Sequence, residues 1–325
     1  MPKELTHWHI AREALRRAGT TQVGKIIACN PALYYIGAVA HDIGFYDFSK
    51  PAETNLEQMA NQLHGVDGEN TLEPVIKIME MALSQNSKHT QLAFLLGMLS
   101  HFVADSIFHP MVYYMSGNYF ANDLEEREKA VFRHRLFETA IDLWIDIVDP
   151  LEDSSDLIYF WRETGEAGQE AFQMIVENFS YLGDKSIRVH FKKAWRNYRF
   201  LQTAFSWSTP WRVLDFYGDF GPLSVKKYEA LFYAQPLNLS FFDSSFEWRH
   251  PVTGAPYKMT LIELFDESVE KVITLFERLN TQSIENWPFL LRELQPLSLD
   301  SGLPYVGVCQ MKYFGTEPIE QQLRV

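Results

Sequence analysis

Along most of the 325-residue chain, apolar residues recur at three- and four-residue intervals, the period of a helix that buries one face. Over residues 7–18 the repeat runs through Ile10, Ala14, Leu15 and Ala18, with Thr6 placed to cap the first turn and Gly19 to end the run. Pro31 opens an apolar segment over 31–40, which gives way to a turn-like His41-Asp42-Ile43-Gly44 and a polar stretch from Ser49 to Asn55. Asp42 therefore lies where a buried helix ends. The same period predicts helices over 55–64, 71–85, 90–115, 123–147, 155–181, 185–206, 223–233 and 259–280.

No segment alternates as a strand ladder does. Between Pro236 and Lys258, Asn, Ser, Pro and Gly cluster, and Pro251-Val-Thr-Gly254 suits the tight turn of a short hairpin. The helical pattern breaks at Pro150 to Ser155, separating residues 1–150 from 151–325, either as two packed halves of one domain or as two units. The expected fold class is all-α, a multi-helix bundle.

Composition adds bounds. A 46 % hydrophobic content is enough for a large core, and the 14 % aromatic share suits helix faces joined by large rings. Twenty-nine basic against 42 acidic residues leave a net charge of -13, the wrong sign for holding long nucleic acid through its phosphates. A small phosphate ester stays compatible with that charge, because bound divalent ions make a site locally positive. Cys29 and Cys309 support neither a disulfide framework nor a Cys-rich zinc site. The N-terminal residues show no basic segment followed by an apolar run, so the expected compartment is the cytoplasm. The longest apolar runs, near 31–40 and 93–108, are bounded or interrupted by Asn30, His101 and Asp105, are too short to span a bilayer and read as buried helices.

The sharpest chemical signal lies in the second of these runs. His101, Asp105 and His109 are four residues apart, an advance of only about 40° per step on a helix, so their side chains share one stripe. Two imidazoles and a carboxylate in so apolar a segment need strong partners, and a divalent metal satisfies all three. The plainer reading is that they hydrogen-bond one another. His134 and Glu138 repeat the offset in the next helix, where an amphipathic His and Glu pair is ordinarily solvated unless it faces the first stripe. His7, Asp42 and His64 lie upstream, and each alone has routine structural roles.

Taken in order, these motifs resemble the zinc-dependent phospholipase C family, the helical superfamily that also includes fungal single-strand nucleases and the serum glycosylphosphatidylinositol-specific phospholipase D. The resemblance rests on Thr6-His7-Trp8-His9-Ile10-Ala11, on Gly37-Ala38-Val39-Ala40-His41-Asp42, on the His101, Asp105, His109 stripe and on His134 with Glu138, and covers roughly residues 5–145. The short step from Asp105 to His109 is more like the phospholipase D branch. The resemblance implies a metal cluster between helices, with Asp42, His64 and His101 on one zinc and Asp105 bridging to a second zinc shared with His7. His109, His134 and Glu138 would hold a third. Secreted members complete the second site with a mature N-terminal Trp; here either His9 stands in for it or the site holds two zinc ions rather than three. Such ions, about 3.5 to 4 Å apart, activate a water and stabilise the departing alkoxide, with Asp42 as ligand and general base.

The implied activity is hydrolysis of a phosphodiester, most like a phospholipase C, on a phospholipid or related amphiphile and with transient contact to a membrane surface. Aromatic residues of the second half, among them Phe205, Trp207, Trp211 and Tyr233, lean the same way, though such rings commonly serve a core. A nuclease would use the same metals. His41-Asp42 also matches HD-type nucleotide phosphodiesterases, which leave the stripe and the His134 pair unexplained; His41→Ala separates the two. A non-catalytic helical binding protein with a structural zinc would show a closed coordination shell. His190 and His250 read as structural.

Overall fold

The computed structural model describes residues 3–48, 56–85, 87–151, 155–181, 187–220 and 223–324. The polar stretch Ser49 to Asn55 lies outside them, as does part of the break after Pro150. Helix dominates, as the periodicity predicts, and the only paired strands among the described residues form one hairpin.

Helix α1 (Glu4–Ala18) begins three residues before the predicted start, and Thr6 lies inside it. Its N-terminus is capped from a distance: Asp142 accepts hydrogen bonds from the backbone of Leu5 and Thr6, each at 3.0 Å, and from the Thr6 hydroxyl at 2.6 Å. No local pattern announces such a cap. Helix α2 (Gln22–Cys29) is an unpredicted helix that ends at Asn30, and Asn30 in turn caps α3 (Pro31–Gly37) through Leu33 N at 2.9 Å. The predicted segment 31–40 stops at Gly37, and a separate 3-10 helix, Ala40–Tyr46, carries His41 and Asp42.

Helices α4 (Leu56–His64), α5 (Leu72–Leu83), α6 (Lys88–Ser116) and α7 (Leu124–Val148) fall within a few residues of prediction. The span predicted over 155–181 is two helices, α8 (Leu157–Glu163) and α9 (Gly165–Tyr181), split where Gly165 takes φ 62°. Then come α10 (Ile187–Ala204), an unpredicted α11 (Ser208–Phe220) and α12 (Leu223–Glu229). Strands β1 (Phe246–Arg249) and β2 (Pro256–Met259) pair antiparallel around the predicted turn, where His250 N donates to Ala255 O at 2.9 Å. Thr260 and Glu263 form a capping box for α13 (Leu261–Asn280); α14 (Trp287–Arg292) and α15 (Glu320–Leu323) follow.

At the centre is α6, packed against α2, α3, α7 and α13. It is long and apolar enough to cross a membrane by composition, yet 94 % of its most apolar window is buried within the fold. Two glycines permit the tight seam between α3 and α6. A Cβ on Gly37 would stand 2.0 Å from Phe94 O, and one on Gly97 would stand 2.1 Å from Tyr34 O. This near contact of backbones sets the carbonyl of Ala38 beside the polar stripe of α6.

Candidate metal centre

The stripe on α6 is buried as its spacing predicts, with His101 and Asp105 fully inaccessible and His109 nearly so. Four imidazoles converge on Asp105. His101 Nε2 is 2.8 Å from its Oδ2 and His7 Nε2 is 3.1 Å from its Oδ1. His64 Nε2 stands 3.6 Å from Oδ2, and His109 Nε2 stands 3.9 Å from Oδ1. Asp42 Oδ1 is 3.4 Å from His64 Nε2. On α7, His134 Nε2 and Glu138 Oε1 are 2.9 Å apart.

Three groups result whose ligand atoms lie within 4.8 Å of one another: His7, His101 and Asp105; Asp42, His64 and His101; and His109, His134 and Glu138. All eight residues that the sequence nominated are brought together, and every one is buried. Backbone carbonyls orient two of the rings. His64 Nδ1 faces Ala60 O at 2.7 Å and His101 Nδ1 faces Ala38 O at 2.9 Å, contacts in which Nδ1–H donates to the carbonyl and Nε2 is the nitrogen turned toward the ligand groups.

The donor set suits zinc, and the unsatisfied atoms point the same way. Both Asp105 oxygens, Asp42 Oδ1, His101 Nε2 and both nitrogens of His7 are buried without an aligned hydrogen bond, although neighbours stand as close as 2.8 Å. Polar atoms buried at this density without hydrogen bonds are costly, and divalent cations would meet the carboxylate oxygens and one nitrogen of each ring.

Three rings form a stack, with His101 between His7 (centroids 4.1 Å, 14°) and His41 (4.4 Å, 9°). Face-to-face imidazoles within an apolar shell resist protonation, and burial together with neighbouring imidazoles lowers His41 well below its ordinary value. Burial likewise lowers His101, His109 and His134. Burial pulls His64 down too, but Asp42 and Asp105 outweigh it and hold His64 up at about 9. Burial would raise Asp105, yet the surrounding His101, His109 and His7 keep its carboxyl well below the usual range.

Two neighbours of the centre escaped sequence reasoning as members of it. His41 was weighed only as part of a rival motif, yet it lies buried against His101, outside the three ligand groups. Asp300 Oδ1 stands 3.0 Å from His109 Nδ1, and nothing in the turn-like Asp300-Ser301-Gly302 signals it. Its placement has a local cause. Pro110 lacks the amide that would bond the Ser106 carbonyl, and Gly302 (φ 67°) packs so close there that a Cβ would stand 2.4 Å from Ser106 O. His9 does not stand in as a ligand: it sits two residues from His7, on the other face of α1, where its Nε2 meets Asp146 at 3.0 Å and Nδ1 faces Arg12 at 3.2 Å. His190 contacts Asp47, and His250 Nδ1 accepts from Val252 N.

No curated protein and no solved structure matches the chain. A sequence profile described as zinc dependent phospholipase C matches residues 6–181, more than half of the chain and a span that takes in every residue of the three ligand groups. The chain belongs to the zinc-dependent phospholipase C family.

Proposed function

We propose that the protein is a zinc-dependent phosphodiester hydrolase that acts as a phospholipase C on a phospholipid or related amphiphile. The observation that carries this reading is the convergence of four imidazoles on buried Asp105 beside the His109, His134, Glu138 group. A zinc ion held by three protein ligands, as His109, His134 and Glu138 would hold one, keeps a position for water or a substrate oxygen, as catalytic zinc requires and a structural zinc does not. His101 belongs to two of the groups and would serve one ion, with Asp105 offering an oxygen to another, so the residues present would hold two or three zinc ions per chain. Zinc bound there supplies a water nucleophile at neutral pH and neutralises charge on the phosphoryl and leaving oxygens.

The chain's own groups do the rest. Asp42 is a ligand whose carboxylate accepts the proton of the attacking water, the role of general base. His101 and His64 are held by backbone carbonyls, so their ligand nitrogens need no reorganisation. An apolar lip suits an amphiphile: Phe45, 37 % exposed, packs on His64 with centroids 5.4 Å apart, and Tyr119 packs on His134 at 5.1 Å beside Phe120, 38 % exposed. The same rings could stack a nucleobase, but the net charge of -13 disfavours a polynucleotide. Mass spectrometry of products from mixed phospholipid vesicles tests the reading, with zinc-loaded enzyme beside a chelated control and His109→Ala. Diacylglycerol with a phosphorylated head group is expected. Phosphatidic acid moves the assignment to D-type cleavage, and no lipid product from protein that retains zinc removes the lipid reading.

A further inference from the structure

We infer that α10, α11 and α12 form a basic, apolar-studded face that seats the protein on an anionic lipid bilayer, an inference that rests on the phospholipase reading. Charge is the first argument. In a chain of net charge -13, residues 187–229 carry eight Lys and Arg against Asp215, Asp219 and Glu229. Glu229 is buried and lies 3.8 Å from Arg324, whereas Lys192, Lys193, Arg196 and Arg212 are exposed. An acidic protein is repelled by an anionic bilayer unless it turns one basic face toward it, and each basic group near such a surface contributes about 1 kcal/mol.

Apolar exposure is the second argument. Val189, Phe200, Trp207, Val213, Phe216 and Tyr217 stand out from α10, α11 and the turn between them; Phe216 is 64 % and Tyr217 61 % exposed. On α10 Val189, Lys192, Lys193, Arg196 and Phe200 recur at three- and four-residue steps, and on α11 so do Arg212, Val213, Phe216 and Tyr217, so each helix turns bases and apolar side chains outward together, as an interfacial helix needs for rings in the head-group layer and cations at phosphates.

Its position is the third. Asn197 of α10 donates to Tyr46 O at 3.0 Å, and His190 contacts Asp47, tying α10 to the 3-10 helix that carries Asp42 and to the exposed Phe48 that follows it. On the other side Thr139, next to Glu138 on α7, donates to Ala230 O at 2.7 Å just past α12. These contacts set α10 beside the segment that carries Asp42 and Phe48, and the end of α12 beside the helix that carries His134 and Glu138.

Sedimentation with sucrose-loaded vesicles tests this, using phosphatidylcholine alone and phosphatidylcholine with phosphatidylglycerol, and lipid products are measured in the same tubes. Zinc-loaded wild type, the pair Lys192→Glu with Lys193→Glu, and the pair Phe216→Ser with Tyr217→Ser are compared at matched helicity. Wild type should prefer the anionic vesicles. The charge reversals should lower that partition by about tenfold or more, and the aromatic pair should weaken it as well. Equal wild-type binding to both vesicles, or binding of both variants within about twofold of wild type, overturns the docking face. Binding with the expected losses but no lipid cleavage supports the face and removes the phospholipase reading. Cleavage with variants that bind like wild type keeps the phospholipase reading and removes the face.

Discussion

Asp300 lies outside the family match, in a turn of the C-terminal half, and yet faces the Nδ1 of His109 at 3.0 Å while His109 Nε2 faces the metal ligands. A carboxylate in that place fixes which nitrogen carries the proton and makes the other a better donor to zinc. Asp300→Asn keeps an oxygen toward Nδ1 and removes the charge. Since a charge-assisted contact is worth about twice a neutral one, zinc affinity at the His109, His134, Glu138 site should fall by about tenfold. Asp300→Ala removes the oxygen as well and should cost about 100-fold, about 2.8 kcal/mol at about 1.4 kcal/mol per decade. The assay is competition with a chromophoric zinc chelator, ion by ion, with His134→Ala marking the site that is lost. Both variants holding zinc within about twofold of wild type would refute the orienting role.

Three further outcomes follow from the geometry. In zinc-free protein His41, His101, His109 and His134 sit below the ordinary 6.5, so the unfolded chain binds more protons than the fold below that pH. Thermal stability should therefore fall on acidification through 6.5, while the contribution of His64, held up at about 9, should be lost as pH rises through that value; a melting-temperature series across pH checks both signs. Asp142→Ala leaves the Leu5 and Thr6 donors of α1 without their acceptor in a buried setting, with an expected loss of about 3 kcal/mol or more by urea denaturation. That loss should come with weaker binding of the ion nearest His7. Gly97→Ala forces a Cβ to within 2.1 Å of Tyr34 O, so an α3 to α6 seam that cannot open should lose about 2 kcal/mol or more, read from the same denaturation curves.

How much of this could be read beforehand depends on the range of the interactions. The stripe of His101, Asp105 and His109 was visible because four-residue spacing on one helix fixes a shared face, and the His134 and Glu138 pair followed the same rule. His7, Asp42 and His64 entered through the family resemblance, since spacing alone says nothing about segments that meet only in space. The boundaries failed where the cause was distant or brief. Asp142 caps α1 from far along the chain, Asn30 ends one helix and starts another within a single residue, and α11 carries apolar residues on a face the core never covers. Asp300 could not be foreseen, because its approach depends on a carbonyl that Pro110 leaves open and on a glycine that can back onto it. His41 carries the opposite lesson: it adjoins Asp42 in a motif shared with HD-type enzymes, but its ring stacks on His101 and lies outside the ligand groups.

Hydrolysis by this centre requires metal at Asp105. Anomalous diffraction recorded on both sides of the zinc edge, from crystals of protein purified without chelator, locates zinc directly. It should show two or three zinc peaks within bonding distance of Asp42, Asp105, Glu138 and their histidine partners, with the peak nearest His109 lost in His109→Ala. Ordered helices with no zinc among these eight residues, or zinc only at surface sites, would contradict the metal centre.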